Sequence, residues 1–457
     1  MFQATHGAAA VTECVSKTPL MTDLYQLTMM QTYLARGMTE RAVFEFFVRS
    51  LPAERRFLLS AGLEQVVEFL ASLHFEDDEL TWLEREGHAD SRLIDYLAQV
   101  HFTGDIDAMP EGTVFFPDEP ILRITAPLPL AQLVESRVLS LLHFATLIAS
   151  KAARVRLAAE DRLLVDFGMR RAHGSEAGVL AARSAYLAGF DGTATVLAGK
   201  SFGIPLFGTM AHSFVIAHER EMDAFETYAR NHPDNTVLLI DSYDTLEGAR
   251  KAVRLAERLR GSGIRIRGVR LDSGDLATLS RGVRDILDAG GLGDATVFAS
   301  GNLDEHAIRA LLAKGAPIDG FGVGTRMDVS ADAPYLDCAY KLQEYAGQAR
   351  RKRAEGKTTW PGRKQVYRHY SADGRMAGDC LTLEDDPQQG EPLLRPVMRE
   401  GRLLAPLPTL ADAREHTQAQ LERLTQTLRE LTPGPSDYPV DISPALSELV
   451  RTLDSAA

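Results

Sequence analysis

TVLLIDSYDTLEGARKAVRLAERLRGSGIRIRGVRLDSGDLATLS, residues 236–280, decides the fold. TVLLIDS (236–242) and IRGVRLDS (266–273) are short apolar runs that read as strands. Between them Leu246, Ala249, Val253 and Ala256 recur at helical spacing, with Arg and Glu interspersed. Two strands about thirty residues apart, bridged by a helix, form a β–α–β unit, so the strands are parallel.

The same pattern extends in both directions. Upstream lie LLVDFG (163–168), TATVL (193–197) and PLFGTM (205–210); downstream lie TVFAS (296–300) and PIDGFGVGT (317–325). Leu276, Leu279, Val283, Ile286 and Leu287 repeat the helical spacing, and Asn302 with Glu305 resembles a capping box before Ala307–Leu312. Seven such strands favour a closed or nearly closed TIM-like α/β barrel over an open sheet, here assigned to residues 131–340. Residues 1–130 differ. A periodic segment at Thr22 to Leu34, a strand AVFEFFV (Ala42 to Val48), a helix from Leu63 to Leu73 and a strand-and-turn region from Gly112 to Leu128 predict an α+β domain after a loose N-terminal tail. Residues 341–457 read as a C-terminal appendage of strands and helices packing on the other two, with a helix at about Leu410 to Leu431.

Composition narrows the function. Of 457 residues, 45% are hydrophobic and 25% charged, enough apolar material for a large core. Lys plus Arg total 50 against 63 Asp plus Glu, a net charge of -13, which disfavours nucleic acid as a partner. VLSLLHFATLIAS (Val138 to Ser150) is too short for a bilayer span and reads as a buried helix. The N-terminal residues show no charged segment leading into an apolar core. Three cysteines, Cys14, Cys338 and Cys380, lack CxxC spacing and form no disulfide framework. These features predict a cytoplasmic protein with no membrane partner.

In a parallel barrel the chemistry sits where strands end. There the sequence places Arg170, Arg171 and His173; His212; Asp241; Arg270, Asp272, Ser273 and Asp275; Ser300 and Asn302; then Gly322, Gly324, Thr325 and Arg326. GFGVGT exposes backbone N–H groups that suit phosphate, or is simply a tight turn. LDSGD suits ribose hydroxyls or Mg2+, with Ser273 or Asp275 also able to cap a helix. Arg170 and Arg171 suit a carboxylate or phosphate, or a surface ion pair. His212 is a candidate nucleophile or base if Asp241, at the next strand end, holds its other nitrogen. Arg350 to Arg353 with Lys357, Arg363 and Lys364 is the densest positive charge, a polyphosphate attractor or a solvated loop.

Nine segments together carry a family resemblance: TDLYQLTM (22–29), VFEFFVR (43–49), VDFGMRRAHG (165–174), FDGTATVLAGKSFGIPLFGTMAHSFV (190–215), LLIDSYDT (238–245), GVRLDSGDL (268–276), GFGVGT (320–325), YKL (340–342) and PGRKQVYR (361–368). The chain resembles the nicotinate phosphoribosyltransferases over nearly its whole length. The resemblance implies an irregular α/β barrel joined to an α/β sandwich, in a homodimer with shared active sites. It implies that nicotinate and phosphoribosyl pyrophosphate give nicotinate mononucleotide and pyrophosphate in NAD salvage, with Mg2+ and with ATP hydrolysis coupled through phosphorylation of His212. Asp241 then matches the acidic residue paired with that histidine. Tyr25 and Thr209 match nicotinate contacts, Phe167 and Arg170 the ring site, Arg270 and Asp272 substrate contacts, and Gly324 and Thr325 the phosphate turn. The family pattern departs at His173, where Gln is expected, and at Ala354, where Ser is. The rival readings are a nicotinamide phosphoribosyltransferase, a phosphate-binding barrel lyase or isomerase, and a non-catalytic metabolite-binding barrel. The lyase reading lacks a Schiff-base lysine at a strand end, since Lys200 falls in a loop.

Overall fold

The computed structural model describes residues 18–354, 357–434 and 436–455. Cys14 and the N-terminal tail lie outside the described residues. Two compact units form: one runs to Leu147 and resumes at Tyr335, and the other is Ile148–Pro334.

In the second unit six parallel strands pair in the order Gly192–Thr193, Leu163–Asp166, Gly320–Val323, Thr296–Ser300, Gly268–Leu271, Val237–Leu239. Leu206 adds a parallel bridge beside Thr193. Apart from the gap between Leu206 and Val237–Leu239, neighbouring strands follow in chain order, and Gly320–Val323 pairs with Leu163–Asp166. That is the order a barrel requires. Among the described residues no backbone ladder joins 205–207 to 237–239; the contact recorded there is from Asn235 Nδ2 to the Gly208 carbonyl, 3.4 Å.

Five of the seven predicted strands form where expected. TATVL does not: only Gly192–Thr193 is strand, and Val196–Phe202 is a helix. PLFGTM contributes one bridge, because Pro205 has no N–H and offers only its carbonyl, to Thr193 N–H at 3.0 Å. Asp275, not Ser273, caps helix Leu276–Ala289, accepting from Ala277 N–H at 3.2 Å. Asp304, not Asn302, caps Glu305–Ala313, accepting from Ala307 N–H at 2.8 Å. Asn302 has φ +54°, and Glu305 instead accepts the buried Lys151 at 2.7 Å and Arg154 at 2.9 Å.

The expected apolar helix is longer than its core, Glu135–Ala159. It is long and apolar enough to cross a membrane, but 78% of its apolar window is buried inside the protein, as in a core helix.

In the first unit, Arg41–Val48 pairs antiparallel with Cys338–Tyr345 on one side and Leu122–Pro127 on the other. Four of the seven strands of that sheet come from beyond residue 334. The 341–457 region therefore interleaves with the N-terminal strands. A four-stranded sheet follows, built on Lys364–Tyr370 and Met376–Leu383. The expected 410–431 helix ends at Glu422. Charges are buried here in pairs: Lys364 with Glu45 at 2.7 Å, and Arg368 with Asp379, both carboxylate oxygens engaged. Such pairs are costly to break singly, because the remaining charge stays in a dry interior.

Gly248 tests the barrel packing. It lies inside helix Thr245–Arg258, where a Cβ would stand 2.2 Å from the Ile240 carbonyl. In an exposed helix Gly→Ala gains about 1 kcal/mol. Here the clash is with backbone and outweighs that gain, so Gly248→Ala should lose about 1–3 kcal/mol in urea denaturation. A stabilised variant would contradict the close helix–strand contact.

Candidate active site

A cavity of about 530 Å³ opens at the carboxyl ends of the parallel strands. Phe167, Arg170 and Arg171 line it after strand Leu163–Asp166, Arg270, Asp272, Ser273 and Gly274 at the end of Gly268–Leu271, Ser300 to Asn302 at the end of Thr296–Ser300, and Gly322, Gly324 and Thr325 at the end of Gly320–Val323. A second hollow of about 440 Å³ shares Phe167, Arg170, Arg270 and Asp272 and continues to Thr209 and His212. The sequence-predicted residues Phe167, Arg170, Thr209, His212, Arg270, Asp272, Gly324 and Thr325 thus line these two adjoining hollows. Tyr25 belongs to the first unit, in helix Leu24–Arg36, with 48% of its surface exposed. Burial, Glu135 and Asp23 push its hydroxyl up to about 12, so it stays a neutral donor.

Arg270 is the hub. Its Nη1 donates to Thr209 Oγ1 at 3.0 Å, its Nη2 lies 3.6 Å from Asp272 Oδ1, and its guanidinium sits 5.6 Å from the Phe167 ring centre. Burial lowers its pKa from the usual arginine value and Arg170 adds to that, while Asp272 and Asp241 oppose it. Its Nε is buried without a hydrogen-bond partner. A cation that is incompletely paired and partly shielded from water is suited to an anionic ligand.

Glycine shapes the wall. A Cβ on Gly322 would stand 2.5 Å from the Phe167 ring, and one on Gly301, at φ +95°, 2.0 Å from the Asp272 carbonyl. The Gly324–Thr325 turn starts the short helix Thr325–Asp328, whose first N–H groups have no helical acceptor.

The pairing of His212 with Asp241 needs correction. His212 Nδ1 lies 3.0 Å from Ser242 Oγ, and its Nε2 is 3.9 Å from Asp272 Oδ2. Asp241 turns the other way: its Oδ2 accepts from Asp272 N–H at 2.8 Å and Ser273 Oγ at 2.6 Å. Asp241 therefore braces the loop that carries Asp272, and Ser242 holds the imidazole. Ser242 was missed by the sequence reading; its one signal was adjacency to Asp241 at the same strand end.

The basic segment is also tied down. Arg351 and Arg353 reach Asp454 at 2.9 and 3.3 Å, in the C-terminal helix Pro444–Ser455, which takes up part of their charge.

Sequence models of the nicotinate phosphoribosyltransferases match the chain in three parts. The N-terminal domain matches residues 20–143, the family domain 163–363 and the C-terminal domain 386–450. The chain belongs to this family. A nicotinate phosphoribosyltransferase of Mycobacterium tuberculosis is 49% identical over 434 residues, covering 94% of this chain and 93% of the relative. That of Bacillus subtilis is 39% identical, covering 93% of this chain and 92% of the relative. The crystal structure of the human nicotinic acid phosphoribosyltransferase superposes with a TM-score of 0.85 at 30% identity, covering 94% of this chain and 99% of that one. The protein is an enzyme with the fold of its family.

Asp241→Ala removes the acceptor of two hydrogen bonds and should cost about 2–3 kcal/mol in denaturant. Asp241→Asn, which can keep the single oxygen that accepts both bonds, should cost clearly less. Equal losses, or none, would show that Asp241 does not brace the Asp272 loop.

Proposed function

We infer that the chain works as its family does: it is a nicotinate phosphoribosyltransferase of NAD salvage. The observation that carries this reading is the set of three arginines, a glycine turn and Asp272 around one strand-end cavity, with His212 in the adjoining hollow. The acid needs such cations more than its amide would, because nicotinate is an anion and so is each product.

The pyridine nitrogen of nicotinate attacks C1′ of phosphoribosyl pyrophosphate. The N–C1′ bond forms with the nitrogen lone pair, the C1′–O bond breaks, and pyrophosphate leaves with that electron pair. In our assignment the Gly324–Thr325 turn takes the 5′-phosphate, and Phe167 stacks on the ring. Arg170 and Arg270 neutralise the carboxylate and the departing pyrophosphate, and Asp272 faces the ribose hydroxyls. The residues fit Mg2+ as well: Asp272 offers a hard carboxylate, and behind it Asp241 Oδ1 is buried with no donor. Mg2+, when bound, supplies charge neutralisation at pyrophosphate.

ATP is the co-substrate. Ser242 fixes one imidazole nitrogen of His212, and the other is open to receive the γ-phosphoryl group. The P–N bond forms as the P–O bond to ADP breaks. The new negative charge beside Arg270 and Asp272 would reset substrate affinity. Tyr25 contributes to nicotinate binding, as the family pattern assigns. A homodimer with shared sites would cover Val196, Leu197 and Leu206, whose side chains are exposed on the segments after Thr193. A cytoplasmic location agrees with the unpaired Cys338 and Cys380.

The direct test is a product assay with nicotinate, and separately nicotinamide, plus phosphoribosyl pyrophosphate, with and without ATP. Nicotinate mononucleotide should form, faster with ATP; product from nicotinamide alone would transfer the assignment to the amide enzyme. His212→Ala should lose the ATP stimulation and retain basal transfer. Unchanged stimulation would remove His212 from the coupling.

A further inference from the structure

Asp166 and Asp328 form a buried carboxyl pair near in the chain to residues that line the cavity, outside every role assigned above. Asp166 is the last residue of strand Leu163–Asp166, and Asp328 is the last of helix Thr325–Asp328. Their exposures are 0% and 1%. Asp166 is well supplied with donors: its Oδ1 accepts from Gly168 N–H at 2.8 Å and its Oδ2 from Thr193 Oγ1 at 2.6 Å. Asp328 has none, and both of its oxygens are buried without a hydrogen-bond donor. It packs so tightly on Gly168 that a Cβ there would lie 2.1 Å from its carboxyl carbon. Each carboxyl acts on the other, and the elements packed against helix Thr325–Asp328 carry Arg170 and Arg171 in Met169–Arg171 and the buried Arg183 in Ser175–Leu187.

A carboxylate that receives no donor, in a dry interior, against a second carboxylate, is not stable as an anion. A proton on Asp328 removes the conflict and provides the missing hydrogen bond in one step. Asp166 already accepts two donors and is the better anion. Burial, then Asp166, pushes Asp328 up to about 10, while Asp166 is raised by burial.

The location gives the proton a consequence. Through Gly168 N–H, Asp166 shapes the turn that presents Phe167, Arg170 and Arg171. Asp328 closes the turn that begins at Gly324 and Thr325. We propose that the neutral carboxyl of Asp328 donates to Asp166 and that this one shared proton latches the pyridine-side turn to the phosphate-side turn in the shape that binds phosphoribosyl pyrophosphate. Asp328 is a positioning residue; it touches no substrate. The proposal rests on the cavity being the substrate site, so its test includes readouts that need no turnover.

The sign of the linkage is opposite to that of a salt-bridged aspartate. A carboxyl whose pKa is raised in the folded state stabilises below the ordinary carboxylate range and loses that contribution as pH rises toward about 10. Asp328→Asn is neutral at every pH and keeps an N–H donor for Asp166. Its Tm should therefore lie nearest the parent's at about pH 4 and exceed it increasingly up to about pH 9. Infrared difference spectra of parent minus Asp328→Asn at neutral pH should show the carbonyl stretch of a protonated carboxyl. In kinetics, Asp328→Asn should keep the KM for phosphoribosyl pyrophosphate within about twofold, and Asp328→Ala should raise it about tenfold with a smaller change in kcat. No protonated-carboxyl band, or a Tm difference that does not grow with pH, would overturn the shared proton. An Asn variant as impaired in KM as the Ala variant would overturn the latch. If the chain made no mononucleotide at all, the assigned function would fail while the infrared and thermal series still decided the protonation.

Discussion

The parallel ladder is the constraint on which the rest depends. Strands of two to five residues, paired side by side in one direction, end on the same rim. Arg170, Arg270, Asp272, Ser300 and Gly324 come from four strand ends spread over more than 150 residues of sequence, and only a common direction brings them together. Antiparallel pairing would send alternate ends to opposite faces. The strands are too short to be stable alone, so the helices that cover them, such as Thr245–Arg258 against the Ile240 carbonyl, are part of the same device.

The rim gains its chemistry from incomplete satisfaction. Arg270 is half-buried and bonded to Thr209, yet its Nε has no partner; Asp241 braces the Asp272 loop through one oxygen and leaves the other unmatched. Two charged groups of the first unit behave differently. Arg368 has both of its outer nitrogens and its Nε engaged by Asp379 and Gln420, and Lys364 donates to two carbonyls as well as to Glu45. Where such a network is fully satisfied it holds the sheet together, whereas the open groups of Arg270 and Asp241 line the rim.

Strand and helix periodicity made most of the barrel legible in the sequence, and the strand-end rule made the cavity wall legible. What escaped was set by single contacts. Thr193 to Leu197 is rich in β-formers, yet the chain turns into a helix at Val196, because the strand is needed only as far as Thr193, where Pro205 and Leu206 come alongside. Asn302 and Glu305 fit a capping box, but Glu305 is drawn into the core by Lys151 and Arg154, and Asp304 takes the cap. Chain order placed Asp241 beside His212; the side-chain direction after a strand end, which no periodicity encodes, turned it to Asp272 and left the imidazole to Ser242. The interleaving of 338–349 and 395–403 with the first sheet was invisible for the same reason, since long-range antiparallel pairing leaves no local spacing signal.

The central claim is that one strand-end cavity holds both halves of the mononucleotide. A crystal structure of the enzyme soaked with nicotinate mononucleotide tests it most directly. The account predicts the phosphate against the Gly324–Thr325 turn and the pyridine ring beside Phe167 and Arg170. A mononucleotide seated away from these residues, with the cavity holding only solvent, would contradict it.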